Sequence, residues 1–150
     1  MEVGHTEVRE VWVTDVAVAT ALGNTYETSW QRLVEGRTGI KPLRRFSVDN
    51  YRAHHAGFLD ELRPSDGKSM IHALIDLVLA GMGSVPTDAC LLTASTKAGI
   101  DNLERLQRGI PADPNDVLPA RLAERITRKL GLTKKGIHIS AACASSAIAL

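Results

Sequence analysis

The chain has 150 residues, 44% of them hydrophobic and 23% charged, the size and composition of one globular domain. Eighteen Lys and Arg against seventeen Asp and Glu leave a net charge of +1, which excludes a strongly basic nucleic-acid arm or a polybasic membrane anchor as the main function. Two cysteines, Cys90 and Cys143, are too few for a disulfide framework and point to a reducing, cytoplasmic compartment. No apolar h-region follows the polar start, and no window is long and uncharged enough for a membrane span.

Residues 1–10 read as a polar tail that frays, and residues 11–150 as one unit. Val11–Val18 is β-branched and apolar at nearly every position, the pattern of a strand buried on both faces. After Gly23, Asn24 stands three residues before Glu27, the spacing of a capping box. Trp30, Leu33 and Val34 then mark a short helix that Gly36 stops. Residues 37–66 suggest loops and a short strand. From Lys68 to Met82 apolar residues cover most of a helix circumference, so the helix is expected to be buried on several sides. His72 and Asp76 interrupt it one turn apart and are expected to pair.

Ala89–Ala94 predicts a second apolar strand, with Cys90 as inert core. A small-residue turn over 95–99 leads to a brief helix at Ile100, Leu103 and Leu106. Leu118, Leu122, Ile126 and Leu130 recur at i+4 and predict a helix that Gly131 stops, with Glu124 and Arg128 spaced as an i,i+4 ion pair. Gly136–Ser140 predicts a third strand, with His138 packing or hydrogen bonding on it. Strand, helix, helix, strand, helices, strand implies α/β with a mostly parallel sheet.

The last twelve residues run from a strand into Ala141-Ala142-Cys143-Ala144-Ser145-Ser146 and then helix-forming residues. Small side chains permit a sharp turn and close approach of a substrate. A cysteine in the first turn of a helix meets unpaired N–H groups and the positive end of the helix dipole, a location that favours thiolate. Those N–H groups could also bind the oxyanion formed when a thioester carbonyl is attacked. A cysteine among alanines also reads as a small buried hydrophobe, and the local pattern leaves both open.

Ala142-Cys143-Ala144-Ser145-Ser146 resembles the active-site signature of β-ketoacyl synthases, the condensing enzymes of fatty-acid and polyketide assembly. Weaker likenesses lie in Val11–Thr14, Thr20–Gly23, Glu35–Ile40, Leu91–Thr96 and Leu122–Leu132. Asp15 and Ala17 replace glycines usual in the family, Ala21 replaces a common proline, and the 68–82 helix lacks the usual Asp-Arg opening. The resemblance implies the incomplete N-terminal half of a thiolase-like fold, cut within a buried nucleophile helix. It implies that Cys143 takes an acyl group from an acyl carrier protein or coenzyme A thioester, with its own N–H in the oxyanion hole. Decarboxylative condensation with a malonyl-thioester would follow. The partners implied are those thioesters and a second ketosynthase subunit, as homodimer or heterodimer.

The family's two histidines come from its later half. None of His5, His54, His55, His72 or His138 matches them, so these 150 residues alone are expected to be inactive. No cofactor and no metal are expected: adjacent His54 and His55 point to opposite strand faces, and no cluster has metal-ligand spacing. No strand is followed by a nucleotide-binding glycine motif. Two alternatives stand beside the enzyme. One is a non-catalytic ketosynthase-like subunit that shapes a pocket. The other is a helix-turn-helix over residues 122–139, disfavoured by Gly136 and by the strand-like alternation of Ile137 and Ile139.

Overall fold

The computed structural model describes residues 10–63 and 67–150. The N-terminal tail to position 9, His5 included, and positions 64–66 lie outside the described residues. The described chain is mixed α/β, with five helices, a 3₁₀ turn and two separate two-stranded sheets.

Helix α1 spans Tyr26–Val34. Its cap is Thr25, whose hydroxyl accepts from the Thr28 N–H at 3.1 Å, and not Asn24. Thr25 has the extended backbone an N-cap requires, and Asn24 lies one residue too early to reach the free N–H groups. The stops predicted at Gly36 and Gly131 hold, with φ of 69° and 64°. Strands β1 (Ile40–Pro42) and β2 (His55–Gly57) form an antiparallel pair inside the segment expected to be mainly loop.

The predicted opening strand is absent. Residues 11–18 pair with no strand, and Val11, Trp12 and Val13 are 92%, 78% and 82% exposed. Apolar alternation records a demand for burial, but a strand also needs a neighbouring edge for its N–H and C=O groups, and none of the described strands offers one here. Asp15 instead bonds the N–H of Val16 at 2.8 Å and that of Gly83 at 2.7 Å.

Helix α2 covers Met70–Ala80 with Ser69 as N-cap. Only Ile75 on it is buried, so the several-sided burial expected is not reached among the described residues. His72 and Asp76 do not pair. Nε2 of His72 bonds Asp116, and Asp76 pairs with Lys129.

Strand β3 (Leu92–Ala94) and strand β4 (Ile137–Ile139) are parallel, in the register Leu92 with Ile137. Between them run α3 (Ile100–Gln107), a 3₁₀ turn (Pro114–Val117) and α4 (Pro119–Lys129). Parallel strands need such a crossover. Of the two sheets among the described residues, one is parallel and the other antiparallel, in place of the single mostly parallel sheet expected. Glu124 pairs through its carboxylate with Arg121 at 2.5 Å, while Arg128 reaches only the Glu124 carbonyl at 3.4 Å. After α4 the chain enters β4, so no recognition helix follows and the helix-turn-helix alternative fails.

Ile75 and Ala123 are the buried apolar residues among those described. The better-formed interior is polar. Asp101 accepts from the Ser69 hydroxyl and, at 2.8 Å, from the Met70 N–H. It thereby supports the positive N-terminal end of α2. Asp116 accepts from the Ser69 N–H at 3.1 Å, from Nδ2 of Asn102 at 3.0 Å and from His72. Asn102 is fully buried and also donates to the Gly67 carbonyl at 3.0 Å. The backbone of Gly99 threads this cluster: a Cβ there would come within 2.7 Å of the Ser69 hydroxyl and 2.8 Å of the Asp116 carbonyl.

Candidate active site

Strand β4 ends at Ile139, and α5 begins only at Ser145 and runs to Ala149. Cys143 lies in the tight turn between them. Ala142 has φ of 48°, the one positive value at a non-glycine residue among those described. The left-handed conformation costs an L-residue about 1–2 kcal/mol, so the surroundings must hold it. Ser145 does this. It is 5% exposed; its hydroxyl accepts from the Ala141 N–H at 2.9 Å and donates to the Ala142 carbonyl at 2.7 Å. The turn is closed again by bonds from the Ala144 N–H to the Ala141 carbonyl at 3.0 Å and from the Ser145 N–H to the Ala142 carbonyl at 3.2 Å.

The result is an exposed thiol at a strand–helix junction. Two expectations are corrected. Cys143 precedes the helix and does not occupy its first turn. The helix has five residues and buries only Ser145, with Ile148 58% exposed, so it is no buried nucleophile helix among the described residues. So short a helix has little dipole to lend, and the turn itself fixes the thiol.

Cys90 is not buried either. It lies two residues before β3, is exposed, and receives Nζ of Lys134 at 3.8 Å; it is not inert core. His138 makes the hydrogen bonds expected of it. The Ser95 carbonyl can only accept, so Nε2 carries the proton that bonds it at 3.1 Å, leaving Nδ1 to meet the Thr93 hydroxyl at 2.9 Å. Thr93 is buried, so this pair ties β3 to β4. His54 bonds the Tyr51 carbonyl at 2.8 Å, and His54 and His55 are both exposed. No group of three His, Cys, Asp or Glu among the described residues could hold a metal.

A cleft of about 910 Å³ lies between β1, β2 and the start of α2, lined in part by Leu43, Phe46, Phe58 and Leu62. It does not include Cys143. Hydrophobic volume and candidate chemistry are thus separate in this chain. Sequence reading missed Ser145 as a holder of the turn, although its place two residues after the cysteine was the available signal. No helix among the described residues is long and apolar enough to cross a membrane.

No family model matches the chain. It is similar to curated proteins named 3-oxoacyl-[acyl-carrier-protein] synthase 2. The similarity to that of Vibrio harveyi is 26% identity, covering 90% of this chain and 39% of the relative. For that of Vibrio cholerae it is 27%, with the same coverages. A shorter match to that of Synechocystis reaches 39% identity over 34% of this chain and 12% of the relative. The chain thus spans about two fifths of the length of the first two relatives. It has a distant, ketosynthase-like relationship to them.

Proposed function

We propose that this chain contributes the acyl-accepting nucleophile, Cys143, to an enzyme of the β-ketoacyl synthase type with a thiolase-like fold. The observation that carries the reading is the turn at Ala142, where a strained backbone presents an exposed cysteine at the end of a parallel strand. Strain of this kind is kept where the surrounding structure fixes it, and functional turns are its usual home.

The thiolate of Cys143 attacks the carbonyl of an acyl thioester on an acyl carrier protein or coenzyme A. A new thioester forms on Sγ, the carrier's C–S bond breaks, and the carrier leaves as a thiol with the proton that Cys143 gives up. The N–H groups of Ala144 and Ser145 are already engaged within the turn, so the donor assigned to the oxyanion is the N–H of Cys143 itself. Condensation with a malonyl-thioester, losing carbon dioxide, is the second half-reaction of this reading. Its groups are proposed to lie in the part of the relatives' length that this chain does not span, as are those of a second subunit.

Incubation of this chain together with the part of the synthase it does not span, with an acyl-carrier or coenzyme A thioester, followed by peptide mass mapping, tests the reading. Cys90 and Cys143 are both exposed, so accessibility alone does not separate them and Cys90 serves as an internal control. The expected adduct is on Cys143, lost in Cys143→Ala and kept in Cys90→Ala. Equal acylation of both thiols, or transfer that survives Cys143→Ala, overturns the proposal. An adduct on neither thiol favours the non-catalytic subunit instead.

A further inference from the structure

Ser145 shapes the turn that carries Cys143, but β4 decides where that turn stands. The strand has three residues, and among the described residues only β3 pairs with it. Backbone bonds run from the Ile137 N–H to the Leu91 carbonyl at 2.9 Å and from the Ser95 N–H to the Ile139 carbonyl at 3.2 Å. So short a ladder leaves much of the register to side chains.

His138 is placed to fix it. Its ring meets Thr93, its register partner, and reaches two points along the β3 segment. These are the Thr93 hydroxyl at 2.9 Å and, two residues on, the Ser95 carbonyl at 3.1 Å. A rigid ring held at both nitrogens resists sliding of one strand past the other. The tie does not depend on the charge of the ring. Nε2 carries a proton both in the neutral tautomer that bonds Ser95 and in the cation. Nδ1 accepts from the Thr93 hydroxyl in the first state and donates to it in the second, when the hydroxyl turns to the Ile137 carbonyl at 3.3 Å.

A slip of β4 by one residue would send His138 to the opposite face and strip the buried Thr93 of its ring partner. It would also carry the cysteine turn along by about 3.3 Å. A misplacement of about 1 Å is enough to cost a group transfer about 10²-fold.

We propose that His138 is a positioning residue for acyl transfer to Cys143: by pinning β4 to Thr93 and Ser95 it places the thiol for attack. The inference rests on the function proposed above and adds to it a residue that takes no part in the transfer itself.

The test measures acylation of Cys143 in this chain assembled with the part of the synthase it does not span, alongside alkylation of the same thiol by iodoacetamide. Transfer from a thioester needs an aligned sulfur, whereas a small alkylating reagent needs only an exposed one. In His138→Leu, which removes both bonds, kcat for acylation should fall by about tenfold with KM unchanged, and alkylation should keep its rate. His138→Gln keeps an N–H for the Ser95 carbonyl and should recover most of the loss. Thr93→Val removes the other end of the tie with little change of shape. It should lower kcat by about threefold, and it keeps the test alive if His138→Leu does not fold. The inference is overturned by an unchanged kcat in whichever of these two variants folds, by alkylation that changes in step with acylation, or by His138→Gln behaving as His138→Leu. Wild-type protein that does not acylate Cys143 overturns the proposed function itself, whereas acylation indifferent to His138 overturns this inference alone.

Discussion

Ser145 and Ala142 divide the work of the cysteine turn between them. One adopts an unfavourable backbone angle and the other supplies the two hydrogen bonds that keep it. Replacing Ser145 by Ala leaves the Ala141 N–H without its partner, at a cost of about 1–3 kcal/mol for a poorly solvated donor. Urea denaturation should show that loss, and site-specific acylation of Cys143 should fall with it. Ala142→Val places a β-branched side chain where φ is 48° and should destabilise by about 1–2 kcal/mol or more. Asp113 offers a titration test at the same scale. The Asn115 N–H, then the Asn115 side-chain amide, hold its carboxyl below its ordinary value of 3.8, and the His72 charge adds to this while burial opposes it. A folded-state pKa lowered in this way contributes stability that is present above pH 3.8 and is lost as pH falls through the lowered value. The stability difference between the wild type and Asp113→Asn should therefore be full at pH 6 and vanish on acidification, as followed by denaturation midpoints across pH.

Among the elements, the polar cluster that joins α2, α3 and the 3₁₀ turn does what an apolar core does elsewhere. The side chains of His72 and Asp116 are 16% and 10% exposed. Removing one partner strands the other, so Asp116→Ala should cost about 3–5 kcal/mol and Asp116→Asn less. Thermal unfolding of the two variants side by side measures the difference. Little of this cluster was legible in the sequence. His72 and Asp76 share a helix face one turn apart, which invites pairing, yet the true partner of His72 lies 44 positions away. Helix periodicity was legible, because α2, α3 and α4 carry their burial signal within a few residues. So were β3 and β4, which are short, apolar and bounded by turn residues. Residues 11–18 carry the same signal without forming a strand, because pairing depends on an edge elsewhere in space. The cysteine turn was legible as small residues around a thiol, but its left-handed Ala142 was not, since alanine rarely adopts that conformation.

The described residues bury little apolar surface for their number. Val11, Trp12, Val13, Trp30 and Leu33 are each more than half exposed, and surface of that kind marks contact with other chain segments or partners. By itself the chain is expected to bind a hydrophobic dye and to self-associate as concentration rises. Trp12→Ser combined with Val13→Asp should reduce both, as read by dye fluorescence and sedimentation velocity, while leaving the β3–β4 unit intact. Unchanged association in that double variant would place the sticky surface elsewhere.

The β3–β4 pairing has a consequence in time as well as in space. Thr93 and His138 are 45 positions apart, and closing a loop of that length costs about 3 kcal/mol in chain entropy before any pairing repays it. Helices α3 and α4 lie within that loop and can form from local contacts alone, shortening the search. The turn that carries Cys143 grows directly from the end of β4, so it has no fixed shape until the strands have met. On the proposed function, acylation selective for Cys143 over Cys90 should accordingly develop in refolding experiments with the slowest phase, after helical signal has returned.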